Sequence, residues 1–168
     1  VTNYVMREIG HPTHVFDYDR LATQTLAIRK SKPGEQIVTL DNKTYTLPGG
    51  DIVAENEKHE IIDLLGIMGL ENSVVTDETK RILFFVDNND PTLMRKTSMS
   101  LGLRSEAVVL NEKVIDPELA MDALLYGITL FEELADGKVV SPITDIYPNK
   151  INTHTITVSE EKINPSPK

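Results

Sequence analysis

The sequence predicts an α+β fold, with helices packed on one side of mixed β-sheets. Two observations carry this. Short runs rich in β-branched residues gather between residues 25 and 87, and from Pro91 onward the apolar period changes from two to that of a helix. A third concerns the core: 40% of residues are hydrophobic but only 5% aromatic, so branched aliphatics must do most of the packing.

The elements follow in chain order. Residues 2–9 carry Tyr4, Val5 and Ile9 at helical spacing, and Gly10 stops that helix. Residues 11–14, HPTH, form a rigid turn, after which Asp17 or Asp19 caps a short turn around residues 18–22. Residues 25–30 alternate as a strand, and KPGE turns the chain. QIVTLDNKTYTL reads as a hairpin joined at Asp41-Asn42. Pro48-Gly49-Gly50 turns again before the short strand DIVAE. HEIIDLLGIMG is apolar and punctuated by glycine, which suits a buried strand or a close backbone approach. RILFFVD has the unbroken apolar run of a strand buried on both faces. Asp90 and Pro91 open a helix over PTLMRKTSMSLGL, and SEAVVLNEK is a second helical piece. The longest helix follows, capped by Asp116, with Pro117 in its first turn and an apolar stripe of Leu119, Ala123, Leu124, Ile128 and Phe131. Gly137 ends it, and VVSPITDIYPN and INTHTITVS return to strand around the break at Pro148-Asn149.

The chain has 168 residues, enough for one domain plus a fragment. Its net charge of −9 disfavours a wide electrostatic grip on nucleic acid. A small local contact is compatible with it, and Arg95, Lys96 and Arg104 gather with no acid between them. Such a run also suits a merely solvated face. There is no Cys, which removes disulfides and thiolate chemistry and fits a reducing cytoplasm. No apolar run approaches the roughly 18 residues of a membrane span. Both ends read as cut from a longer polypeptide.

Candidate chemistry is sparse. His11, His14, His59 and His154 offer no ligand spacing, so no metal site is expected. His11 and His14 straddle Pro12, and a turn histidine bonded to backbone describes His11 best. No Ser–His–Asp order is legible. GIMGLENS lacks the Gly-Lys-Ser/Thr of a phosphate loop. Its small residues suit the near approach of a ligand or another strand.

Several stretches in order resemble one family: NYVMREIGHPTHVFDYDRL, IRKSKPGEQIVTLDNKTYTL, DIVAENEKHEIIDLLGIMGLENSVVTDETKRIL, DPTLMRKTSMSLGLRSEA and NEKVIDPELAMDAL. Together they resemble the B3/B4 domain of bacterial phenylalanyl-tRNA synthetase β subunits, over residues 1–149. Residues 150–168 resemble the start of the next domain, or a tail. The resemblance implies a layered β-sandwich with helices on one side. It implies an α2β2 parent that charges tRNA(Phe) with ATP and Mg2+, chemistry that lies in the α subunit, so this domain itself takes no cofactor. It implies a cytoplasmic editing domain that binds the 3′ end of mischarged Tyr-tRNA(Phe) and hydrolyses the ester.

The same resemblance assigns residues. The histidine of the family's HAFD motif falls on His14, which with Ser105 is expected to carry the catalysis. Gly66 and Gly69 match the glycine-rich segment, while Leu70 replaces a glycine. Ala107 keeps the pocket wall small, and the family arginine of ERGVDP gives way to Lys113-Val114. Arg95, Lys96 and Arg104 are the expected RNA contacts. The family glutamate that holds the tyrosine hydroxyl falls on Phe85, which cannot accept that hydrogen bond. Asp87 shares a strand face with Phe85 and is the candidate replacement. Two readings follow: an editing domain of weakened activity, or a structural and tRNA-contact module that has lost editing.

Overall fold

The computed structural model describes residues 1–21, 25–152 and 154–164. They fall into two units, Val1–Lys138 and Val139–Lys168. The first unit is an α+β assembly in which every described strand pairing is antiparallel.

Helix α1 (Thr2–Ile9) ends where Gly10 adopts φ 81° and its N–H caps Met6 O. The chain then enters β1 (His14–Asp17), which pairs with β8 (Ile82–Phe85) in a two-stranded ribbon, His14 opposite Phe85 and Phe16 opposite Leu83. Asp17 caps the short α2 (Tyr18–Leu21), accepting the N–H groups of Asp19 and Arg20. Strands β2 (Ala27–Lys30), β5 (Ile52–Glu55), β6 (Ile61–Leu64) and β7 (Met68–Gly69) form a four-stranded sheet in that order. The β3 (Gln36–Val38) and β4 (Thr44–Thr46) hairpin turns through Asn42 at φ 59°. Three helices follow: α3 (Pro91–Leu101), α4 (Glu106–Asn111) and α5 (Leu119–Ala135).

Side-chain alternation separates two cores. On one face of the four-stranded sheet, Val53 and Leu64 are cross-strand partners. They pack with Ile37 and Leu47 of the hairpin region, Met94 of α3 and Val108 of α4. The other face carries Ala54, Asp63 and Gly69, aligned across β5, β6 and β7. Against it lies the ribbon face that bears His14, Phe16, Leu83 and Phe85, with Phe16 fully buried. The ribbon's outer face puts Phe84 on α5, its ring directly against Gly127 and 5.3 Å from the Phe131 ring between centroids. Each large apolar side chain so buried stabilises the fold by about 1.5–3 kcal/mol. Asp51 ties the layers: it accepts the hydroxyls of Ser31 at 2.8 Å and Thr97 of α3 at 2.7 Å.

Three expectations need correction. RILFFVD is half-buried rather than fully buried, with Ile82 exposed, because a two-stranded ribbon leaves both edges open. Helix α5 starts at Leu119, since Asp116 accepts the N–H of Glu118 inside a turn rather than capping a helix at Pro117. The strands expected in residues 138–158 are not formed among the described residues. Alternation encodes a strand only where a partner strand offers a ladder, and none pairs there. The second unit's regular element is α6 (Glu160–Ile163).

Candidate functional site

The ribbon and the β6–β7 edge meet at His14. The imidazole stands edge-on to Phe16, ring centroids 4.6 Å apart. Opposite it is Gly69, where any Cβ would lie 2.7 Å from His14 Cε1. Glycine is therefore what lets the imidazole seat against β7. Burial holds the His14 pKa down to about 4, so the ring is neutral at pH 7 and can offer hydrogen bonding rather than charge. Neither ring nitrogen bonds to any described residue.

The segment between β6 and β7 is held from behind. Gly66 takes φ +70°, and a Cβ there would meet Asn89 Nδ2 at 2.6 Å and Met94 Sδ at 2.7 Å. Its carbonyl accepts Asn111 Nδ2–H at 2.9 Å, and the next carbonyl, of Ile67, accepts the Ser105 hydroxyl at 2.5 Å. Ser105 also accepts the Val108 N–H at 3.1 Å, which caps α4. Both capacities of this hydroxyl are thus committed, and Ser105 positions the glycine-edged segment. Ala107 lies half-buried in the first turn of α4.

Phe85 turns inward, its ring centroid 5.8 Å from that of Phe16. Asp87, half-buried beyond it, accepts Asn89 Nδ2–H at 2.7 Å, and burial raises its pKa. Asp63, 4% exposed, faces the same layer from β6 as the partner of Gly69. Burial first, and then the charge of Asp87, push its carboxyl well above the usual range. His11 is fully buried and its Nδ1 lies 2.9 Å from Pro12 O, the backbone bond expected of a turn histidine. A carbonyl only accepts, so Nδ1 carries the proton of that bond, and Nε2 has no partner among the described residues.

Sequence reasoning reached His14, Gly66, Gly69, Phe85 and Asp87, and the structure gathers these around one seam. It missed Asp63, His11's second nitrogen, Asn89 and Asn111. A usable signal existed for Asp63: a carboxylate inside an apolar run is rarely buried without a reason. A cleft of about 200 Å³ lies elsewhere, between Gln36–Val38 and Leu70–Asn72, and is not lined by the expected residues.

The expected RNA contacts form a separate cluster. Glu112 accepts both terminal nitrogens of Arg104, at 2.6 and 2.9 Å, and Arg95 Nη1 at 3.4 Å. Lys96 is exposed. Two guanidinium groups sharing one carboxylate keep a local positive excess on an acidic chain. Among the described residues there is no group of three or more His, Asp or Glu able to hold a metal ion, and no helix long and apolar enough to cross a membrane.

Comparison with known proteins locates this arrangement. A family model described as the B3/4 domain matches residues 1–136. A phenylalanine–tRNA ligase beta subunit of Dehalococcoides mccartyi is 40% identical over 97% of this chain and 20% of its own length. Those of Geobacter sulfurreducens and Thermotoga maritima are 37% and 35% identical over 98% and 96% of the chain, again 20% of each relative. The chain therefore spans about a fifth of the curated relatives it matches.

Proposed function

The chain belongs to the B3/4 domain family, and from that premise we propose that it is the editing part of a phenylalanine–tRNA ligase β subunit. In this reading it receives the 3′ end of a mischarged Tyr-tRNA(Phe) and hydrolyses the aminoacyl ester. The observation that carries it is His14: a neutral imidazole with uncommitted nitrogens, seated on a glycine whose missing side chain admits it.

Ester hydrolysis needs a placed water and donors for the oxyanion, not an activated protein nucleophile. His14 is suited to orient that water or the terminal ribose. The water oxygen attacks the ester carbonyl, the ester C–O bond breaks, and free amino acid and a ribose hydroxyl leave. Ser105 and Asn111 act one step back, fixing the Ile67 and Gly66 carbonyls so that the segment facing His14 cannot drift. Ala107 keeps the α4 side small. Arg95, Lys96 and Arg104 supply the phosphate contacts, Glu112 holding the two arginines side by side. Amino-acid activation, with its ATP and Mg2+, belongs to the α subunit of an α2β2 enzyme, in the cytoplasm.

A second reading has its own observation. Phe85 packs on Phe16, at the position where the sequence resemblance puts a glutamate, which favours a scaffold that has lost editing. Deacylation of Tyr-tRNA(Phe) by the intact ligase separates the two. The editing reading expects hydrolysis, with His14→Ala slowing it about 10²-fold through misplacement of the reacting groups. Absence of hydrolysis in the unaltered enzyme selects the scaffold.

A further inference from the structure

Two buried side-chain polar atoms lack a hydrogen-bond partner among the described residues: Asp63 Oδ1 and His11 Nε2. They belong to one neighbourhood. Asp63 feels the charge of Asp87, and Asp87 feels His11. Asp63 stands on the sheet face that Ala54 and Gly69 share, and the ribbon opposite contributes His14, Phe16 and Phe85. Asp87 continues the ribbon two residues past Phe85. Its second neighbour, Asn89, reaches over Gly66. The ribbon face that bears His14, Phe16 and Phe85 thus meets the sheet face that bears Asp63, and Asp63 Oδ1 and His11 Nε2 have no partner among the described residues. Protein interiors rarely leave such atoms unpaired without a ligand, water or function to account for them.

We propose that Asp63, with Asp87 and His11, forms the specificity subsite that holds a hydroxyl carried on the aromatic ring of the amino acid. The proposal rests on the editing reading above and names the group that performs its discrimination. Burial raises both carboxyls, and the charge of Asp87 raises Asp63 further, which favours a proton on one of the pair. The pair then offers a donor, the protonated acid, and acceptors, the carboxylate oxygens, with the unpartnered His11 Nε2 in the same neighbourhood. A phenolic hydroxyl answers both, donating to an acceptor and accepting from the protonated acid. An ammonium has donors only and leaves the protonated acid unpaired. A plain phenyl ring leaves Asp63 Oδ1 and His11 Nε2 unpaired, which is how a site built for a hydroxyl rejects the analogue without one. On this account the carboxylate absent at Phe85 is supplied across the layer, from β6.

The test uses the intact ligase and non-hydrolysable 3′-amino-adenosine amides of tyrosine and phenylalanine, with affinities read by calorimetry. The unaltered enzyme is expected to prefer the tyrosyl amide by about 10- to 100-fold. Asp63→Ala is expected to bring that ratio to about 1, and the near-isosteric Asp63→Asn to keep part of it. Asp63→Asn guards against misfolding, since it preserves volume and removes a buried charge. A ratio unchanged in both variants overturns the subsite while Tyr-tRNA(Phe) hydrolysis still upholds editing. Tighter binding of a 4-aminomethyl-phenylalanyl amide than of the tyrosyl amide overturns the hydroxyl assignment. Failure of the tyrosyl amide to bind the unaltered enzyme overturns the editing reading and the subsite with it.

Discussion

Gly69→Ala tests the contact on which the site is built. The added Cβ would lie 2.7 Å from His14 Cε1 and 3.2 Å from His14 Nε2 and Leu40 Cδ1. Comfortable carbon contacts are about 3.5–4.0 Å, so the imidazole would have to retreat by about 1 Å. Leu40 can swing aside, being half-exposed at a chain end of its side chain. His14 cannot, because Phe16, fully buried, stands edge-on behind it. Overpacking of this kind costs about 1–3 kcal/mol. Gly69 does not adopt a positive φ, so alanine fits the backbone and recovers about 0.4–1 kcal/mol through the unfolded chain. The expected net loss is about 1–2 kcal/mol by urea unfolding. The diagnostic is a double-mutant cycle with His14→Ala. Without the imidazole the methyl keeps the 3.2 Å approach to Leu40 Cδ1, whose exposed side chain can give way, and Gly69→Ala is expected to be close to neutral. The coupling should then be about 1–2 kcal/mol, within the range of touching pairs. Equal cost of Gly69→Ala in both backgrounds would refute the packing of His14 on β7.

Two further outcomes are expected. Ser105→Ala removes the α4 cap and the tie to Ile67 O together; unfolding should show a loss of about 1–2 kcal/mol, and deacylation by the intact enzyme should fall with it. Stability should also depend on pH in two opposed ways. His14 has a folded pKa near 4, below its ordinary 6.5, so the unfolded chain binds the extra proton and stability falls by up to about 3 kcal/mol as pH drops from about 6.5 to 4. Asp63 is raised instead, so its contribution is present at low pH and is lost as pH rises through its folded value. Asp63→Asn should therefore be the more stable protein at pH 7, with the advantage shrinking on acidification; an advantage that grows at low pH would contradict the buried carboxyl.

Local chemistry was legible wherever it was sufficient. Asp90 accepts the N–H groups of Thr92 and Leu93, Pro91 takes the first turn, and Gly102 closes α3 in the left-handed region, all as the residue types require. The hairpin around Asp41-Asn42 is equally local. Strand β1 was not legible. His14–Asp17 is four residues long, and it is a strand because Ile82–Phe85 offers it a ladder 65 or more positions away. The reverse error has the same cause: residues 138–158 alternate, yet no described strand pairs with them. Alternation states which face a residue would take, not whether a neighbour exists.

The site divides along the same line. That Phe85 and Asp87 share a face follows from the period of a strand, and the sequence resemblance alone puts a family glutamate at Phe85. That Asp63 faces them depends on β6 lying beneath the ribbon with Gly69 beside it, which no spacing between positions 63 and 87 encodes. A carboxylate between Ile62 and Leu64 in an apolar run could be flagged as costly; its partners could not be named. The same holds for His11. Its turn role was readable from Pro12, but the unpartnered Nε2 matters only because the fold buries the ring within electrostatic reach of Asp87. In the proposed subsite the polar group comes from β6 instead of the strand on which the resemblance puts it, and only the loss is suggested by the sequence. The replacement appears only when the sheet order is known, so a missing carboxylate at one aligned position is weak ground for declaring the chemistry lost.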